Sequence, residues 1–155
     1  MTDTIQFFKA QADELPLLRT IAHRSEAHWG YSRSFMEIFD RKFNITEEFL
    51  RDHPVYSGKL REAAVGFWGM QNLGTDHPEL EYFYIAPEYL GQGYGKVMWQ
   101  DLTGWCREEG ILSFEFVTSP QAVGFYEKMG AAVTGERRSS IDGRRIPFLE
   151  YRLGG

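Results

Sequence analysis

Residues 80–99 read Leu80-Glu81-Tyr82-Phe83-Tyr84-Ile85-Ala86-Pro87-Glu88-Tyr89-Leu90-Gly91-Gln92-Gly93-Tyr94-Gly95-Lys96-Val97-Met98-Trp99. The apolar and aromatic run over 80–86 predicts a buried strand, and Pro87, which has no N–H to donate, ends it. A glycine-punctuated turn follows, and a helix is expected to open near Gly93. Gly91, Gly93 and Gly95 fall at every second position, so the N–H groups of the turn are bare of side chains. With the unpaired donors of the helix's first turn they make a concave, partly positive corner suited to a phosphate or diphosphate.

Two commoner phosphate motifs fail here. A dinucleotide fingerprint, G-x-G-x-x-G, needs glycine three residues past Gly93, where Lys96 stands. A nucleotide P-loop counted back from Gly95-Lys96 puts its first glycine on Leu90 and its magnesium-binding hydroxyl on Val97. The run from Leu90 to Gly95 instead resembles the acyl-CoA loop of the GNAT superfamily of N-acyltransferases, written Q/R-x-x-G-x-G/A. Gly93 and Gly95 match it, and Leu90 replaces the usual polar first residue. A second segment of that superfamily, N-x-x-A-x-x-F-Y-x-x-x-G-F, is similar to residues 121–131. Phe125, Tyr126 and Gly130 match, while Gln121 stands near the asparagine position and Ala131 in place of phenylalanine. The resemblance is strongest from Val55 onward and rests only on element order before it.

Outward from the central stretch, the periodicities assign the other elements. Residues 4–9 alternate as a first strand. Leu15, Leu18, Ile21 and Ala22 lie on one face of a helix over 12–28, with Pro16 in its opening turn and Gly30 beyond its end. Ser32 or Ser34 caps a second helix carrying Phe35, Ile38 and Phe39, and Thr46 with Glu47 and Glu48 opens a short third one. Residues 55–60 and 64–72 read as a hairpin. After the glycine turn, Val97, Met98, Leu102, Trp105 and Cys106 form a helix face closed by Gly110. A strand over 111–118, a helix begun by Ser119-Pro120, and strands over 131–135 and 146–153 around Asp142-Gly143 complete the chain. The principal order is β-α-α-β-β-β-α-β-α-β-β: an α/β domain with helices flanking a mixed, mostly antiparallel sheet of six to seven strands. The resemblance implies the same GNAT-like fold.

Composition narrows the class. The 155 residues read as a single domain over 1–155, and with 43% hydrophobic and 15% aromatic residues they can bury a core. A net charge of −5 argues against a nucleic-acid partner, and no apolar run reaches the roughly 20 residues of a membrane span. One cysteine, Cys106, and no signal-like start point to a reduced, cytoplasmic protein. His23 and His28 diverge on their helix and His53 and His77 stand alone, so no metal is expected. An exposed edge strand near the C-terminus would allow a homodimer.

The resemblance implies an N-acetyltransferase in which acetyl-CoA passes its acetyl group to a primary amine by direct attack in a ternary complex. Gln92, Gly93, Tyr94, Gly95 and Lys96 would cradle the diphosphate, Tyr84 and Ile85 would meet the pantetheine arm, and Gln121 and Phe125 would complete the CoA site. Tyr126 is the expected acid for the departing thiolate, since a phenol of pKa about 10 lies close above a thiol of about 8.5. Glu81 and Glu79, two apart on one strand face, are the candidate bases, with Glu81 preferred. Trp29, Tyr31, Phe35 and Trp68 are the expected walls of an acceptor pocket toward which acidic Glu26, Glu37 and Asp40 draw a cation. The acceptor is then a small-molecule amine or a peptide amine. Two rivals stand beside this reading: a non-catalytic acyl-CoA-binding regulatory module, and another nucleotide-binding α/β protein, which the failed fingerprints disfavour.

Overall fold

The computed structural model describes residues 4–153. Seven strands form one sheet: β1 (Gln6–Lys9), β2 (Val55–Leu60), β3 (Ala63–Gln71), β4 (Glu79–Ile85), β5 (Ser113–Val117), β6 (Ala132–Arg138) and β7 (Arg145–Arg152). Their spatial order is β1-β2-β3-β4-β5-β7-β6. All pairings are antiparallel except β4–β5, which is parallel. Three helices, α1 (Leu15–Ala27), α2 (Arg33–Ile38) and α3 (Glu47–Asp52), lie between β1 and β2. Helix α4 (Tyr94–Glu108) joins β4 to β5, and α5 (Val123–Lys128) follows β5.

Strand alternation divides the core into two layers. Neighbours Phe67 and Trp68 are both fully buried yet face opposite sides of the sheet. Phe67 and Tyr82 pack under α1 and α2 with Leu18, Ile21, Met36 and Phe39. Trp68 and Ile85 pack under α4 and α5 with Met98, Trp99, Leu102, Cys106 and Phe116. Each large apolar side chain so covered contributes about 1.5–3 kcal/mol. Trp99, rather than the expected Val97, completes the inner face of α4, and Val97 is 37% exposed.

Local signals account for most element ends. Ser32 accepts from the N–H of Phe35 at 3.1 Å and Thr46 from that of Phe49 at 3.1 Å, each capping its helix. The chain past α2 continues as a wider π-helical turn, Phe39–Phe43, which periodicity does not foretell. Opposite Gly69 and Met70 the register slips: Leu80 pairs with Met70 and Tyr82 with Gly69, leaving Glu81 as an extra residue in β4. This bulge puts Glu81 and Tyr82 toward the same layer.

Strands β4 and β5 barely pair. One register pair, Glu79 with Glu115, and the bond from Glu115 N–H to the Pro78 carbonyl (3.0 Å) hold them together. Beyond that point they diverge. No helix among the described residues is long and apolar enough to cross a membrane.

Candidate active site

The opening between β4 and β5 holds two cavities. The first, about 390 Å³, is walled by Phe83, Tyr84 and Ile85 of β4, by Gly91, Gly93, Gly95 and Lys96 of the glycine corner, and by Gln121, Phe125 and Tyr126 around α5. The second, about 220 Å³, lies on the α1–α2 side and is lined by Tyr31, Phe35, Glu81, Tyr82 and the β6–β7 hairpin. Glu26, Tyr84, Thr118 and Ser119 border both. The two cavities therefore adjoin along these four residues.

The corner has the build its sequence predicts. Gly91 (φ 74°) and Gly93 (φ 86°) take left-handed conformations that L-residues adopt at a cost, and neither would bring an added Cβ within 4 Å of another atom. Gly93 caps α4 without a side chain. The N–H groups of Tyr94, Gly95 and Lys96 in the first turn are thereby left without an internal acceptor. Gly95 is required for packing, because a Cβ there would lie 2.9 Å from the Phe125 ring. Bare donors on a helix of this length fit a diphosphate.

Tyr126 is buried among Phe83, Trp99 and Phe116 on the first-cavity side. Burial pushes its phenol well above the ordinary value, against a hydrogen bond with Thr118 that pulls it down. Tyr84 is raised likewise, first by burial and then by Glu26, whose carboxylate its hydroxyl meets at 3.2 Å. Burial also raises Glu26, opposed by that same bond. On the bulge, Glu81 is pushed up to about 8 by burial, then by the hydrogen bond and charge of Glu79. The Gln71 amide nitrogen lies 2.7 Å from a carboxylate oxygen of each.

Not every expected residue reaches the opening. Trp68 does not: its register partner is Phe83, so it points to the α4 layer, stacks on Tyr56 and donates to Asp101 at 2.9 Å. Trp29 borders the first cavity rather than the acceptor side, because Gly30 (φ 86°) turns the chain between it and Tyr31. Gln92 turns its side-chain amide onto the Glu88 carbonyl at 3.0 Å, and Tyr94 packs edge-on against Tyr89, so neither side chain lines a cavity. Glu79 supports Glu81 from outside the cavity wall. Asp40 is bound to His23 at 2.6 Å, away from the opening. The seam position of Glu26 is the feature sequence reading missed. Its only signal was an acidic residue on the half-buried side of α1. A wider depression of about 560 Å³ near Asp76 and Glu150 lies at the paired end of β4 and β5, away from the glycine corner.

A sheet that parts beside two adjoining cavities, with a bare-amide corner at one and carboxylates at the other, is an arrangement that suits transfer between two substrates. The comparisons agree. The profile described as the acetyltransferase (GNAT) family matches residues 18–131. The peptidyl-lysine N-acetyltransferase YjaB of Salmonella typhimurium is 32% identical over 108 residues, 68% of each chain. Among solved structures, the PaiA N-acetyltransferase of Thermoplasma acidophilum in complex with coenzyme A superposes with a TM-score of 0.79 at 22% identity, covering 97% of this chain and 99% of that one. The apo form of YjaB from Escherichia coli gives 0.72 at 23%, covering 98% and 99%. The chain belongs to the acetyltransferase (GNAT) family. It is an acyltransferase, moving an acetyl group onto an amine.

Proposed function

We propose that acetyl-CoA occupies the first cavity and the acceptor amine the second, with transfer at the seam between them. The shared border of Glu26, Tyr84, Thr118 and Ser119 carries this reading, because it brings thioester and amine together without a covalent enzyme intermediate. Holding the two reactants in line supplies about 7–11 kcal/mol of the barrier reduction. The backbone of residues 91–96, with Lys96, binds the diphosphate. Tyr84 and Ile85 flank the pantetheine arm, and Gln121 and Phe125 wall it from α5.

The proton balance assigns the side chains. The amine enters as an ammonium and leaves as an amide, so it gives up two protons. One goes to a carboxylate, for which Glu81, backed by Glu79, is poised near neutral pH. Tyr126 gives its proton to the thiolate as the C–S bond breaks, and the second proton, lost from nitrogen as the C–N bond forms, returns to the phenolate. Tyr31 and Phe35, stacked at 4.1 Å, wall the acceptor. The protein acts as one cytoplasmic domain.

Titrating acetyl-CoA and then assaying thiol release over a panel of amines tests the reading. A lysine peptide belongs in the panel, given the activity named for the Salmonella relative. Binding with release supports the enzyme. Binding without release from any amine makes the chain a regulatory module, and no binding at all rejects both.

A further inference from the structure

We propose that the acceptor is an amine that carries its own carboxylate, which Arg138 and Arg144 of the β6–β7 hairpin hold while the amine reaches the seam at Glu26 and Tyr84. This rests on the acetyl-transfer reading above and names the substrate class of the same site.

The charges in the second cavity are sorted by depth. Glu26, an acid, borders both cavities, so it lies where the reacting nitrogen must come. Arg138 and Arg144 border only the second, on the side away from the thioester. Arg138 has no carboxylate partner among the described residues. Arg144 reaches Asp142 through an exposed pair, which a ligand carboxylate displaces easily. Its guanidinium lies 5.0 Å from the Tyr31 ring centroid and 5.8 Å from that of Phe35, so the hairpin tip roofs the aromatic wall and points a cation along it. Arginine suits a carboxylate because its planar fork can donate two parallel bonds.

Size and the remaining charge agree. The cavity's 220 Å³ is about seven waters' worth and falls below the roughly 300–1,000 Å³ of pockets for drug-sized ligands. An amino acid fits such a space. Glu81, the other acid on the wall, is met together with Glu79 by the Gln71 amide at 2.7 Å, so part of its charge is answered within the wall. A plain alkylamine would satisfy Glu26 and leave Arg138 without a carboxylate and Arg144 with only Asp142 and Tyr31.

The test compares matched amines for thiol release at saturating acetyl-CoA: 4-aminobutyrate against butylamine, phenylalanine against phenylalaninamide, and a capped lysine peptide. In either pair the carboxylate member is expected to have kcat/KM higher by about tenfold, mostly through KM, as one charge-assisted pair implies. Arg138→Gln should cut that advantage to about twofold, and Arg138→Lys should restore part of it. Acetyl-CoA affinity, measured by calorimetry, serves as the check that the variants fold. Three results would overturn the proposal: neutral members equal or better in both pairs, a preference that survives both Arg138→Gln and Arg144→Gln, or release from the lysine peptide alone. In each of these the acetyltransferase reading stands. Acetyl-CoA binding with no release from any amine overturns both.

Discussion

Tyr126 sits in a dry nest of rings, and the acid role proposed for it has to operate under that dryness. Burial raises its phenol far above the ordinary value, which makes it a weaker acid toward a thiolate in water. On the proposed reading, however, the thiolate leaves into the same cleft, where desolvation raises a thiol as it raises a phenol. Both groups are shifted in the same direction, so the phenol remains usable as the acid. Tyr126→Phe is therefore expected to lower kcat by about 10²–10⁴ with little change in acetyl-CoA affinity, read by steady-state kinetics and calorimetry. For Glu81 the sign is opposite, since a base works only when unprotonated. With its carboxyl at about 8, kcat/KM should climb with pH toward about 8, and Glu81→Gln should remove that limb while leaving the one set by the amine itself. The same shift bears on stability. The fold favours the neutral carboxyl, so the contribution is complete below the ordinary value of 4.5 and is lost as pH rises through about 8. Melting curves of wild type and Glu81→Gln across that window should converge at low pH and separate at high pH, with the variant the more stable. Tyr126 was legible because Phe125-Tyr126 and Gly130 form a local pattern. The perturbation of Glu81 was not, because it comes first from burial, which tertiary packing sets, and only then from Glu79 on the same strand.

Among the elements, the corner before α4 was the most legible, since its chemistry lies in consecutive backbone atoms. Pro87, the three glycines and the apolar rhythm after them fix strand end, turn and helix without tertiary help. Side chains of the same stretch were harder to read. Gln92 and Tyr94 find partners in Glu88 and Tyr89 rather than in the cavity. The bulge at Glu81 was invisible, because it depends on β3 and β4 disagreeing by one residue. Trp68 went to the opposite layer for the related reason that a strand's facing is set by its partner's register. Two glycines in one neighbourhood separate backbone need from habit. Gly93→Ala places an L-residue at φ 86°, costing about 1–2 kcal/mol and weakening acetyl-CoA binding by disturbing the bare donors. Gly104 lies mid-helix, where an added Cβ meets nothing within 4 Å, so Gly104→Ala should stabilise the fold by about 0.5–1 kcal/mol. Denaturant titration of both variants reads the two signs, and a loss from Gly104→Ala would show the helix to be packed more tightly than its open face indicates.

At the scale of the whole molecule, the sheet is two parts joined at one hinge-like contact. Strands β1 to β4, with α1 to α3, make one side, and β5 to β7 with α5 make the other. The pair Glu79–Glu115 is the one register contact between β4 and β5. The six-to-seven-strand α/β arrangement could be read from periodicity, but the gap could not, since strands that diverge carry the same apolar pattern as strands that pair. The separation gives up main-chain bonds to create the site. On the proposed reading, acetyl-CoA would contact the glycine corner on one side and Gln121 and Phe125 on the other, and would supply contacts in place of those bonds. Binding should therefore stiffen both sides, not only the loop that grips the phosphates. At about 100 times its Kd the ligand should stabilise the fold by about 2.7 kcal/mol. Amide exchange should slow in β4, in β5 and in α5 as well as at residues 91–96. Protection confined to the corner would mean that the diphosphate binds but the arm does not lie between the strands, and the two-cavity arrangement would then lose its role in transfer.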